Sequence, residues 1–424
     1  MVWQLPNEFR METKSFTPNP ISGETPELGF QEAIDIRVGE HLIAAFPGKS
    51  GGPTLIVTGS LHGNEPAGAV ALSQLASEFD SLQDKFNGRV FFLIGNTRAL
   101  GDRVRFIDAD LNRLWTPHNL SNVGSSELMD TSEGRELTEL DQALDGILIT
   151  AMDEVFVLDL HSTSANGMPF ATVGDTLRNR EFVQKFPVTI LLGIEEQLDG
   201  TMLEYLNNAG AVTLGFEGGQ HLSEETVENH KAMVRIALVE SGIIANDDLP
   251  NIENSRKHIA SGKAGSKIFE VRHRHAITES DDFEMKPGFN NFDSVRRGDV
   301  LGKDRGGSVT AGEAGVILMP LYQKLGDDGF FLGREISPFW LWLSRFLRLS
   351  GIQNFMHYLP GVSYSEKDPA TLTINTSVAR FFPLQIFHLL GFRRRRWAGH
   401  KLVVSRRKHD TSGPFKWKGE INGR

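Results

Sequence analysis

The sequence predicts an α/β protein: a mixed sheet flanked by helices, then a small all-β domain and a helical, basic C-terminal extension. Three observations carry this. From residue 36 to 250 short β-type runs alternate with helix-like segments. From 255 to 335 β-type segments are interleaved with Gly-rich turns, and from 336 to 424 apolar, aromatic stretches mix with clustered arginines. Strand and helix in alternation is the pattern of a sheet whose faces are covered by helices.

Residues 1–35, rich in Pro, Thr and Glu and without clear period, read as a surface segment ahead of the first strand. In the α/β domain, 36–250, the runs His41–Phe46, Thr54–Thr58, Arg89–Ile94, Glu154–Leu160, Val188–Leu192 and Ala211–Phe216 are expected as strands. Between them, Pro66–Phe79, Glu133–Thr150, Thr201–Asn208 and Glu224–Val239 read as helices. Leu249–Gly262 turns polar and reads as a linker. The all-β domain, 255–335, rests on Lys267–His273 and Val316–Tyr322, with turns such as Arg297-Gly298-Asp299. The extension carries two apolar, aromatic segments, Pro338–Leu349 and Val378–Phe392, the second running into Arg393–Trp397.

At 424 residues the chain exceeds the ~250–300 at which one core stops growing, so several domains are expected. There is no cysteine, which excludes disulfides and thiolate metal sites and confines the ligand search to His, Asp and Glu. The N-terminus lacks the basic start and apolar core of a signal peptide, and no run reaches the ~18 apolar residues of a spanning helix. A cytoplasmic location is therefore expected. The net charge of −10 hides an asymmetry: residues 335–424 carry 15 Lys+Arg against 5 Asp+Glu, a net of +10, which leaves −20 for the rest. Packing or a protein partner is favoured over membrane contact for this basic extension. Nucleic acid is not expected, because no recognition motif accompanies Arg393–Arg396.

The chemistry starts at Thr58-Gly59-Ser60-Leu61-His62-Gly63-Asn64-Glu65, a turn after an apolar run. His62 and Glu65 can converge on one ion there, and Pro66 suits a first helical position. Asp159-Leu160-His161 closes another strand-like run; two imidazoles and a carboxylate leave one position of a tetrahedral zinc open for water. Asp159, two residues from His161, points to the same side of the strand and can orient the ligand ring. Glu217, in Phe216-Glu217-Gly218-Gly219, is a candidate base or a surface ion-pair partner. The segment Arg103 to Arg113, with Arg105, Asp110 and Asn112, suits carboxylate and oxyanion recognition or a solvated ion-pair lattice.

Taken in order, Gly59–Glu65, Arg105-Phe106-Ile107-Asp108-Ala109-Asp110-Leu111-Asn112-Arg113, Asp159-Leu160-His161 and Phe216-Glu217-Gly218-Gly219 resemble the succinylglutamate desuccinylase/aspartoacylase family, part of the zinc-carboxypeptidase-like folds. The segments Phe283–Gly288 and Leu318–Tyr322 are similar to its C-terminal β domain. The resemblance implies one zinc per chain on His62, Glu65 and His161, with Glu217 as general base and later proton donor. It implies that Arg105, Asn112 and Arg113 hold the substrate, with Arg105 polarising the scissile carbonyl. The implied reaction is hydrolysis of the amide bond of a small N-acyl amino acid, expected to be a dicarboxylic compound, by a metal-activated water.

Two departures leave the acyl group and the amino acid open. Where aspartoacylases carry a further arginine this chain reads Tyr205-Leu206-Asn207-Asn208, and where they use a tyrosine it reads Gly329-Phe330-Phe331. A zinc carboxypeptidase or esterase is the alternative hydrolase. A non-catalytic metal-binding or scaffolding protein acting through its extension is the alternative of another class, and oligomeric state stays open.

Overall fold

The computed structural model describes residues 37–49, 51–165, 167–194, 197–260, 267–323, 326–365, 368–375, 387, 389–398, 401–411 and 415. The expected surface segment 1–35 and most of the apolar segment Val378–Phe392 lie outside them.

Three parallel strands form the centre: β2 (Thr54–Gly59), β4 (Val155–Thr163) and β7 (Val212–Gln220). β3 (Arg89–Ile94) joins β2 in parallel, and β1 (Leu42–Phe46) closes that edge antiparallel to β3. On the other side β5 (Phe170–Val173) runs antiparallel to β7, so the sheet is mixed as expected. It continues through β6 (Thr189–Leu192) to β8 (Ile268–Ala276). Beyond β8 come β14 (Asp328–Glu335), β13 (Gly315–Leu318) and β10 (Ser294–Val295), giving eleven strands. The strands of the β segment thus extend the edge of the main sheet. A three-stranded sheet of β9 (Glu284–Met285), β11 (Val300–Asp304) and β12 (Gly307–Thr310) lies beside them.

Period-two alternation gives each central strand two apolar faces. In β2, Leu55 and Val57 enter one core and Ile56 the other; in β4, Leu158 and Leu160 face the first and Val155 and Val157 the second. Helices Ala67–Asp80 and Glu224–Glu240 cover the first face, and Ser132–Leu148 covers the second. Gly59 and Gly68 let β2 and the first helix touch backbone to backbone, since a Cβ on Gly59 would sit 2.6 Å from the Gly68 carbonyl carbon. Leu249–Gly262 holds a helix, Ile252–Ala260, where a linker was expected. Its Ile252 and Ile259, seven apart, are buried in the first core, and that sparse pattern was masked by the polar residues between them.

The extension has the expected helix, Pro338–Leu349, and also a four-stranded antiparallel sheet: β15 (Val362–Ser365), β16 (Asp368–Asn375), β17 (Phe392–Ala398) and β18 (Lys401–Arg406). No helix among the described residues is long and apolar enough to cross a membrane.

Arg348 ties the extension to the α/β body. Its side chain is wholly buried and donates to Asp175 O and Oδ2 at 2.7 and 2.8 Å and to Asp410 Oδ1 at 3.2 Å. Asp410 Oδ1 also accepts the Leu177 amide at 2.8 Å, at the start of the helix Leu177–Val183. Burial pushes the Asp175 carboxyl up, yet Arg180 and Arg348 overcome this and hold it well below its usual range.

Arg348→Met takes a shared cation from two buried carboxylates, of which Asp175 keeps Arg180, and is expected to cost about 3 kcal/mol, read as a lowered urea midpoint of the full chain. The depressed Asp175 stabilises the fold above its ordinary value of 3.8 and loses that contribution as the pH falls below it, so the gap between variant and parent narrows below about pH 4. An unchanged midpoint would dismiss Arg348 as the anchor.

Candidate active site

Strand register assembles the site. In the parallel pairs Thr58 lies opposite Asp159, and His161 opposite Glu217, at the carboxyl ends of β2, β4 and β7. Such strand ends are where α/β sheets place ligands. After β2 the chain turns through Ser60, whose φ of +58° is in the left-handed region and whose hydroxyl donates to Glu65 O at 2.9 Å. His62 and Glu65 follow on this turn, before the helix Ala67–Asp80.

His62, Glu65 and His161 come together, with ligand atoms within 4.8 Å of one another. Glu65 Oε1 is 2.9 Å from His62 Nδ1, and Oε2 is 3.2 Å from His161 Nδ1 and accepts the Ser162 amide at 3.0 Å. Both rings therefore turn Nδ1 toward a common centre. Their Nε2 atoms are held from behind: His161 by Asp159 Oδ2 at 2.6 Å, and His62 by Asp110 Oδ1 at 3.2 Å. Asp159 is itself fixed by the Thr58 hydroxyl at 2.6 Å. A carboxylate behind each ligand imidazole fixes the ring's orientation and raises its basicity.

The charges are tightly compensated. Burial would raise Glu65, but the flanking His62 and His161 hold it well below the carboxylate range. Burial would lower His161, but Asp159 and Glu65 hold it well above the usual histidine value. Arg105 donates to Asp110 Oδ2 at 3.2 Å, lies 3.0 Å from His62 Nε2, and stays charged against its own burial because Asp110 and Glu65 face it.

Glu217 is different. Its buried Oε2 has no partner, and burial pushes the carboxyl up to about 8. A buried, unpartnered carboxylate in a cleft marks a site for chemistry more often than for stability. Arg105 Nε and Arg113 Nε are likewise buried and unpartnered. All three residues line a cavity of about 180 Å³ that His62, Glu65, Asn112 and His161 also line. Part of its wall is apolar, from Ile194, Leu198, Leu203, Met319 and Phe331.

Every site residue picked from the sequence lies in this cavity or directly behind it. Asn112 has a structural task as well, its Oδ1 accepting the Met202 amide at 3.0 Å. Arg113 is held by Asp328 at 3.2 Å, a partner 215 residues away that no local signal announces. Asp110 stood inside the basic segment without an assigned role. His221, 2.8 Å from the Ser162 hydroxyl, was also missed, because a lone histidine four residues past Glu217 has no motif.

A second histidine–carboxylate group, His41, Glu136 and Glu139, has similar dimensions. Arg98 fills it, donating at 2.7 Å to Glu136 Oε1 and Glu139 Oε2 and at 3.0 Å to Glu139 Oε1, so a guanidinium already takes the cation's place.

Residues 51–240 match the succinylglutamate desuccinylase/aspartoacylase catalytic domain. Over those residues, a little under half of the chain, the sequence is similar to that family's catalytic domain. The succinylglutamate desuccinylase of Yersinia pestis (strain Pestoides F) is 30% identical over 98 residues, which are 22% of this chain and 30% of that protein. A probable aspartoacylase of Acaryochloris marina is 32% identical over 122 residues, 28% of this chain and 39% of the relative. The matched stretches thus span well under half of either relative. Among solved structures, the product-bound ectoine utilization protein EutE (DoeB) of Ruegeria pomeroyi has the same fold at a TM-score of 0.50, with 20% identity over 68% of this chain and 87% of that one. All four sequence motifs fall within or beside the cavity.

Gly63 is pressed against the Ala99 carbonyl, and a Cβ there would sit 2.0 Å from its carbon. Gly63→Ala is expected to cost about 1–3 kcal/mol through overpacking, with a lower urea midpoint. Parent-like stability would show that the turn is free to shift.

Proposed function

We propose that this chain is a zinc hydrolase that cleaves the amide bond of a small N-acyl amino acid. The observation that carries the reading is the convergence of His62, Glu65 and His161, with both Nδ1 atoms facing the same carboxylate, beside the unpartnered Glu217. Two imidazoles and a carboxylate, each ring backed by a further carboxylate, are the donor set of a catalytic zinc with an open position. When bound, zinc supplies a Lewis acid that acidifies water and polarises a carbonyl, and its charge favours the ionised form of Glu217.

The protein's own groups complete the reaction. Asp159 and Asp110 keep the two imidazoles in register. Glu217 takes the proton of the attacking water as the C–O bond forms, then delivers it to the nitrogen as the C–N bond breaks, releasing a carboxylic acid and an amine. Arg105 faces the developing oxyanion, with a charge that its acidic neighbours keep in place. Arg113 and Asn112 hold the carboxylate of the amino acid, for which Arg113 exchanges part of its contact with Asp328.

The apolar wall receives the acyl chain. Among the described lining residues Arg105 and Arg113 are the arginine or lysine cations, so an aliphatic acyl group suits the cavity better than one ending in a second carboxylate. This favours a deacylase over a strict desuccinylase.

His62→Ala is expected to lose zinc by elemental analysis, and Glu217→Gln to keep zinc while kcat drops about 10²–10⁴-fold. Full metal content in the first variant would remove the ligand assignment; unchanged turnover in the second would remove the base. On a panel of aliphatic and dicarboxylic N-acyl amino acids, esters and C-terminal peptides, the aliphatic amides are expected to turn over fastest. A preference for peptides would instead assign carboxypeptidase chemistry.

A further inference from the structure

The helix Pro338–Leu349 is packed with its polar side inward. Ser344 and Arg348 are its buried residues, whereas Phe339, Trp342, Phe346 and Leu349 are each more than half exposed. At about 100° per residue these four fall on one arc, with the exposed Arg345 on its margin. The rings pack on one another in the open: Trp342 and Phe346 stack at 5.9 Å, and Phe339 lies 6.2 Å from Trp342. The following segment, Ile352–Tyr358, adds Phe355 and Tyr358, 63% and 75% exposed. Of the 17 large apolar residues exposed among the described ones, nine lie between Phe339 and Tyr364. A concentration of this kind marks a contact surface, where scattered exposure would not.

The fold also prevents the aromatic arc from turning inward. Ser344 Oγ donates to Leu389 O at 2.8 Å, and Arg348 is locked onto Asp175 and Asp410. Rotating the helix to hide its rings would tear a buried arginine from two carboxylates.

We infer that this face seats the protein on an anionic lipid surface, with the helix lying in the plane of the headgroups. The residue types fit, because Trp, Tyr and Phe partition to the membrane interface. The length fits: 12 residues span about 18 Å, too short to cross and suited to lie flat. Charge fits as well. Residues 335–424 sum to +10 and the remainder to −20, so the extension is the part of the chain that an anionic surface favours. Arg345 borders the arc, exposed although 3.7 Å from Glu181, and Arg406 donates to Asn354, next to Phe355, at 3.0 Å. A second copy of the chain on this face would set two positive extensions against each other, which disfavours self-association there.

The test is flotation of the full-length protein with vesicles of phosphatidylcholine alone or mixed with phosphatidylserine. The parent protein is expected to float with the phosphatidylserine vesicles and to be released by high salt. Trp342→Ser/Phe346→Ser, which changes only exposed rings, is expected to lower that partitioning at least about tenfold, with an unchanged urea midpoint. Arg345→Glu is expected to weaken binding to phosphatidylserine vesicles alone. Absence of the parent protein from every vesicle fraction, or flotation of the double variant equal to the parent's, would overturn the inference. So would a parent dimer by light scattering that the double variant dissolves without any vesicle binding, since that assigns the face to a second copy.

Discussion

The register of β2, β4 and β7 governs everything that follows. Parallel pairing sets Thr58 beside Asp159 and His161 beside Glu217, so these four side chains are placed by backbone hydrogen bonds rather than by flexible loops. A one-residue slip would send these side chains to the opposite face of the sheet. What forbids the slip is apolar burial: Leu55 and Val57 on one face and Ile56 on the other belong to different cores, and each core has its own helices.

Within that frame the site concentrates charge that a protein interior tolerates only in compensated form. Glu65 stands between two imidazoles, Asp110 between His62 and Arg105, and Asp328 between Arg113 and Arg274. Glu217, Arg105 Nε and Arg113 Nε keep unanswered polar atoms. The network is rigid around the two imidazoles and Glu65 and unsatisfied at Glu217, Arg105 and Arg113.

Much of this was legible in the sequence, for identifiable reasons. The buried strands announce themselves as unbroken apolar runs, and His62, Glu65, His161 and Glu217 stand at their ends, where periodicity hands over to turn chemistry. The basic segment betrayed Arg105 and Arg113 through the density of arginines. Other features had no local signal. β5 is four residues long, and β8 joins the sheet through β6 only by tertiary pairing. Asp328 meets Arg113 across 215 residues, and the helix Ile252–Ala260 has just two apolar anchors. In the extension, Arg393–Trp397 reads as a basic cluster yet lies in β17, paired to β18 by a backbone ladder that charge alone does not reveal.

Asp410 gives the molecule an order of assembly. Its carboxylate accepts the Leu177 amide, its carbonyl accepts the Arg178 amide at 3.3 Å, and it shares Arg348 with Asp175. A ribosome delivers Leu177 more than two hundred residues before it delivers Asp410. Throughout that interval the start of this helix and the carboxylate of Asp175 lack their final partners, so the α/β half emerges from the tunnel unfinished. Its last stabilising contacts arrive with the extension, which ties maturation of the α/β half to translation of a segment far from it in sequence.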